Sequence, residues 1–298
     1  MAVNPGRPYF FKYTSAKTAE IILTTGRLRY AAPGTLNDPF DAQLDLGFGF
    51  AMDQLNKAMM ERYLQAINGN APLPVESRDL FVTLLEVMRQ NRHKLNMTDE
   101  DFIREMTPAI EQGSKQLQAY IGTFHKAIRD LWLSDAKLFC VSEIEDDPLM
   151  WAHYADKHRG VVIKLLALEE IDNQLCVAKP VQYHEQPPVL ATLEEFVENN
   201  FSGKRLNPND AWDKVFYSKQ ADWAYEREWR VVVPGEAPKQ DYAYFKLIPQ
   251  EIGAVIFGSK ITGEDRKKLT EIVKAKYPHA ELLHASLDMK SYGITIEG

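Results

Sequence analysis

The run Tyr225-Glu226-Arg227-Glu228-Trp229-Arg230 passes straight into Val231-Val232-Val233-Pro234, and this segment leaves the chain least conformational choice. Two carboxylates two residues apart open an apolar strand that stops at a proline. Alternate side chains of an extended chain point the same way. Glu226 and Glu228 are therefore expected on one face, with Arg227 on the other. Such a pair can hold an electron-poor sugar or a metal. Equally, Glu–Arg pairs at a solvated strand entrance need no ligand.

At 298 residues, 45% apolar and 11% aromatic, the chain can bury a substantial core, so disorder is not expected. The net charge of −7 speaks against general nucleic-acid binding, though a local basic groove stays open. Cys140 and Cys176 supply neither a disulfide framework nor metal-ligand spacing, and Cys140, in an apolar run, reads as a buried small hydrophobe. The first residues lack the apolar stretch of a signal peptide, and no segment has the length of a membrane span. The expectation is a soluble, cytoplasmic protein.

The elements follow from local signals. Tyr9–Tyr13 reads as an aromatic strand, followed by a helix capped at Thr14 or Ser15 and ended by Gly26, then a strand from Leu28 to Ala31. Helical spacing dominates 51–135, which reads as an insertion of three or four helices in a β-rich frame, one starting at Thr98 and another running from Ser114 to Leu131. Strands resume at Lys137–Ser142, Val161–Leu165 and Val181–Tyr183, with a short helix after Asp147-Pro148. Residues 190–222 read as mostly helical. The strand opened by Glu228, strands near 242–248 and 254–258, a helix at 263–276 and a terminal strand pair complete an α+β pattern with one mixed, mostly antiparallel sheet. We expect a single domain over 1–298.

Two further boxes carry candidate chemistry. Asn37-Asp38-Pro39-Phe40-Asp41 is either a turn bonded to its own backbone or a rigid loop for ribose hydroxyls or a divalent cation. In Met150-Trp151-Ala152-His153-Tyr154-Ala155, Trp151 and Tyr154 share a helix face, whereas His153 points elsewhere, toward a site or solvent. No His-Glu-x-x-His, phosphate-binding Gly-rich loop or Gly-x-Ser-x-Gly elbow occurs. The usual zinc hydrolases, nucleotide triphosphatases and serine hydrolases are thereby disfavoured.

Phe11-Lys12-Tyr13, Asn37–Asp41, Cys140-Val141-Ser142-Glu143, Met150–Ala155 and Glu226–Arg230, in that order, resemble the bacterial family called domain of unknown function 2971. More distantly, Lys12-Tyr13-Thr14-Ser15 with Gly26, Phe139–Ser142, Trp151–Tyr154, Val161–Ile163 and Glu226-Arg227-Glu228 are similar in layout to ADP-ribosyltransferases. Lys12 stands where those proteins carry His or Arg, and Tyr13 where glycine is usual.

This second resemblance implies a split sheet and NAD as substrate, with no metal. Glu228 would bond the ribose 2′-hydroxyl and stabilise the oxocarbenium-like charge, and Glu226 would orient the acceptor or act as its base. Lys12 would hold the pyrophosphate or adenosine ribose, and Tyr13 or Tyr154 would stack on the nicotinamide. Ser142 and His153 complete the expected NAD site. Asn37, Asp38, Asp41, Trp151 and Arg230 are the expected substrate-side residues. The acceptor, whether protein, nucleic acid or small molecule, stays open, as do the oligomeric state and a role in phage defence or as a toxin. Two other classes stand beside this one. One is a metal-dependent nuclease or phosphohydrolase using Asp38, Asp41, Glu226 and Glu228. The other is a partner-binding or regulatory module, in which Glu228 pairs with Arg230 or Arg227 and faces no pocket.

Overall fold

The computed structural model describes residues 6–43, 46–75, 80–94, 96–204, 207–234 and 240–298. The chain divides into two compact units, one of 1–43, 131–186 and 216–298, the other of 44–130 and 187–215. The first mixes helix and strand around a curled, mostly antiparallel sheet.

The sheet unit starts with β1 (Tyr9–Thr14), α1 (Ala16–Thr25) and β2 (Arg27–Ala31). Ser15 caps α1 by accepting from Thr18 N, and Gly26 ends it in the left-handed conformation at φ 61°, which costs glycine little. The unit resumes at β3 (Lys137–Ser142), α5 (Pro148–Tyr154), β4 (Val161–Leu166), β5 (Lys179–Pro180) and β6 (Gln182–His184). It closes with β7 (Ser218–Gln220), β8 (Glu228–Val233), β9 (Tyr242–Lys246), β10 (Ile252–Phe257), α8 (Gly263–Lys276), β11 (Glu281–Asp288) and β12 (Gly293–Glu297). The sheet runs β12-β11-β10-β4-β1-β3-β2-β9, and β8 attaches to β3 and carries β5. Among the described residues only β10 and β11 pair in parallel within it; β6 and β7 form a separate short parallel pair.

The branch at β3 shapes the site. One edge of β3 pairs with β8 along its whole length, from Lys137↔Val233 to Ser142↔Glu228. The other edge meets β1 only at Phe11↔Ser142 and β2 only at Ala31↔Leu138. The sheet therefore opens between β1 and β2, with the middle of β3 as the floor of the gap.

Apolar side chains cover both faces. Ala19, Ile22 and Leu23 of α1 pack with Leu269 and Val273 of α8 against Phe10, Val161, Ile163, Leu165 and Val255. On the opposite face Met150 and Trp151 of α5 pack against Phe11, Tyr13, Val162 and Ile256. The continuous apolar reading of β4 and β10 reflects burial on two sides.

The second unit is helical: α2 (Met52–Ile67), α3 (Leu80–Asn91), α4 (Asp99–Ala127), α6 (Leu193–Ser202) and nearly all of α7 (Pro208–Phe216). The expected insertion at 51–135 contributes α2, α3 and α4, and α6 and α7 come from later in the chain. Leu55, Ala66, Val197 and Phe201 form one core, and Ile67, Leu85, Phe102 and Met106 another.

Two expectations need correction. No helix begins at Ser114: α4 starts from the Thr98 capping box and runs through Pro108 and Gly113. The Ser114 hydroxyl bonds back to Ile110 O at 3.0 Å instead of capping a new start. The stretch expected to be helical to 222 is interrupted at Ser218–Gln220, which turns extended to pair with β6. No helix among the described residues is long and apolar enough to cross a membrane.

Candidate functional site

Glu226 does not lie on the strand with Glu228. It ends a 3₁₀ turn, Ala221–Glu226, and Arg227 follows in the left-handed region at φ 42°. That kink, rather than strand alternation, brings the two carboxylates together. The turn is tied to β3, because Ser142 Oγ donates to Glu226 O at 2.7 Å and accepts from Ile144 N at 3.1 Å.

Both carboxylates meet on Lys219, a residue of β7 that the sequence reading missed. Its Nζ lies 2.5 Å from Glu226 Oε2, 3.0 Å from Glu228 Oε2 and 3.5 Å from Asp41 Oδ2. Arg230 lies behind, fully buried. It grips Glu228 with Nε and Nη2 at 2.7 and 2.9 Å, reaches Asp41 Oδ2 with Nη2 at 2.7 Å, and donates from Nη1 to Phe216 O at 2.9 Å. Both oxygens of Glu228 are thus saturated, and its backbone N–H donates to Tyr183 Oη at 2.9 Å. Glu226 is held more loosely, by Lys219 and by the Tyr154 hydroxyl, which donates to Oε1 at 2.5 Å. Asn37 Nδ2 donates in turn to Tyr154 Oη at 3.3 Å. Asp41 Oδ1 is buried without a hydrogen-bond partner.

Three carboxylates face two cations, so the cluster has one more negative charge than positive. Burial would raise the Glu228 pKa, but Arg230 and Lys219 outweigh it and hold the group far below the ordinary carboxylate value. For Glu226 burial dominates, reinforced by the charge of Glu228, and its pKa is pushed up. Lys219 would lose affinity for its proton through burial, yet the three carboxylates hold it charged. Glu226 is therefore the least compensated of the three carboxylates and the first to take up a proton.

A cavity of about 500 Å³ opens above this cluster in the gap between β1 and β2, within the size range of small-molecule sites. Glu226, Glu228, Lys219 and Asp41 line one end. Tyr13, Ser142, His153, Tyr154 and Asn37 are on its wall, and Lys12, Arg29, Ser15 and Thr18 line the rest. Tyr13 is anchored by its hydroxyl to Ile144 O and by edge contact with Trp151. His153 is exposed at the wall, its ring 6.3 Å from Tyr154 and 6.4 Å from Tyr225.

Other expected site residues sit differently. Trp151 is a core residue whose Nε1 donates to Glu145 O, and it does not line the cavity. Asp38 turns back to accept from Phe40 N, the self-bonded turn that its sequence also allowed. Arg230 supports the cluster from beneath instead of facing a ligand. Cys140, expected as a buried small hydrophobe, is half-buried and lines the cavity, and burial raises its thiol pKa. Lys12 donates from Nζ to Cys140 O at 2.7 Å across the gap, where β3 is paired with β8 on one edge but with neither β1 nor β2 on the other. Burial lowers its pKa, which weakens it as a fixed phosphate-binding charge. Asp41, Glu226 and Glu228 do converge, but the ammonium of Lys219 occupies the place a dication would need. Glu228 is paired with Arg230, as a partner-binding module requires, yet it lines a cavity, which that reading did not expect.

Residues 150–231 match the model of a family described as a protein of unknown function, DUF2971. The span opens in α5 and closes in β8, and so contains Tyr154, Lys219, Glu226, Glu228 and Arg230. No curated protein and no solved structure matches the chain.

Proposed function

We propose that the chain cleaves NAD at the bond between nicotinamide and ribose and transfers ADP-ribose to an acceptor. The observation that carries this reading is the unbalanced carboxylate, Glu226, at the end of a cavity with aromatic walls. Departure of nicotinamide leaves a ribose carrying positive charge on C1′ and its ring oxygen. In NAD that charge sits on the nicotinamide ring, and a buried cluster short of one positive charge stabilises it more as it moves onto the ribose. Glu226 takes this role here, because both oxygens of Glu228 are held by Arg230 and Lys219. Glu228 then positions Lys219, and Tyr154 aligns Glu226.

The remaining lining suits a dinucleotide. Tyr13 and Tyr154 offer aromatic surface for nicotinamide. Arg29, with Ser15 and Thr18 at the start of α1, suits the diphosphate, and the first turn of α1 has no acidic residue.

Calorimetry with NAD, with nicotinamide release followed in parallel, tests the proposal. Wild-type protein should bind saturably and turn over slowly. Glu226→Gln should keep binding and lose about a hundredfold or more in turnover. Absence of binding at millimolar NAD would overturn the reading.

A further inference from the structure

Lys12 has an unusual environment for a lysine. Its side chain is half-buried on β1 and lines the cavity. Nζ has a single hydrogen bond, to Cys140 O, and lies 5.0 Å from the centre of the Phe139 ring. It forms no ion pair among the described residues. The nearby charged groups are Glu228, Glu226 and Arg29, with the Cys140 thiol, and none offsets the loss of water around the ammonium. Elsewhere in the same cavity Lys219 has three carboxylates and remains an ammonium. One cavity thus holds two lysines in opposite electrostatic settings.

We propose that Lys12 is an amine nucleophile that captures small aldehydes in this cavity as a Schiff base, favouring aldehydes that carry a phosphate. Its single bond to Cys140 O orients the nitrogen while leaving the lone pair free for attack when the amine is neutral. Desolvation favours that neutral form, as in lysines that form Schiff bases. The phosphate preference comes from Arg29, which lines the cavity with its guanidinium stacked 4.4 Å over the Tyr242 ring and in no ion pair among the described residues. The reaction balances without an oxidant or reductant. The nitrogen lone pair adds to the carbonyl carbon, and a proton moves from nitrogen to oxygen to give a carbinolamine. Protonation of that hydroxyl expels water and leaves the C=N bond. Solvent supplies that proton and takes one back from the iminium nitrogen, so the sum is amine plus aldehyde giving imine plus water. This inference does not rest on the NAD reading, since neither the nucleophile nor Arg29 needs a dinucleotide.

The test treats the full chain at neutral pH with equimolar pyridoxal 5′-phosphate, reduces with borohydride, and maps the modified peptides by mass. About one adduct per chain is expected, on Lys12 in preference to every other lysine, because burial in the cavity favours its neutral amine. Arg29→Ala should reduce labelling by pyridoxal 5′-phosphate more than labelling by pyridoxal, which falls only as far as Arg29 helps to lower the Lys12 pKa. Adducts spread over surface lysines, with Lys12 no higher than the rest, would overturn the proposal. The wild-type map alone decides the nucleophile, whether or not a Lys12 variant folds. Equal sensitivity of both probes to Arg29→Ala would overturn the phosphate preference.

Discussion

Glu226 and Glu228 stand two residues apart and are shifted in opposite directions from a common value of 4.5. Burial pushes both up, and only Glu228 has cations, Arg230 and Lys219, that outweigh it; the consequence is measurable as stability against pH. Glu226, with its folded pKa raised, contributes stability fully below its unfolded value and loses it as pH rises through the folded value. Glu228, with its folded pKa depressed, contributes above its unfolded value and loses it as pH falls through the folded one. Urea unfolding from about pH 3 to 8 should therefore show opposite trends. Glu226→Gln should gain on wild type as pH rises above 4.5. Glu228→Gln should be less stable than wild type at neutral pH, by a margin that shrinks on acidification. Parallel curves for the two variants would contradict this account. The pair itself was legible in the sequence, since carboxylates at a strand entrance invite attention. Lys219 was not, because a lysine in a three-residue strand has no local signature, and its partners come from Asp41, far away in sequence, and from a kink at Arg227.

At the scale of elements, the cavity wall depends on how α5 hands over to β4. Asp156, Lys157 and His158 all take positive φ, at 45°, 54° and 68°, a costly run for residues with a Cβ. The turn is closed by His158 N to Trp151 O and Gly160 N to Ala155 O, at 3.1 and 2.8 Å. Gly160 then passes so close to β1 that a Cβ there would lie 2.2 Å from Thr14 O, a backbone atom at the cavity edge. Gly160→Ala should destabilise the protein by about 1–3 kcal/mol or more, seen as a lower melting temperature. An unchanged melting temperature would mean that this turn is not held as described. Elements with caps were readable from sequence: α1 from Ser15 and Gly26, and the start of α4 from Thr98, whose hydroxyl accepts from Asp101 N. The continuity of α4 past Ser114 was not readable, because Pro108 and Gly113 are breakers by propensity and tertiary packing overrides them.

At the scale of the whole molecule, β4 lies between β1 and β10, paired with both along nearly its full length and covered on each face. Its amides should exchange slowest in a hydrogen-exchange experiment, together with those of β1 and β10, whereas the terminal strand β12 should exchange first among the strands. Faster exchange in β4 than in β12 would refute this ordering. The sequence by itself determined the α+β class, most strands, the capped helices and the carboxylate pair, since these depend on side-chain period, capping chemistry and β-branched runs within a few residues. Tertiary structure alone decided that β3 is shared by β1, β2 and β8, that a cavity opens where β1 and β2 part, and that Lys219 and Arg230 saturate Glu228 but not Glu226. The reason is physical. Strand partnership and charge balance are set by groups brought together from distant parts of the chain, and no local pattern encodes which of them will meet.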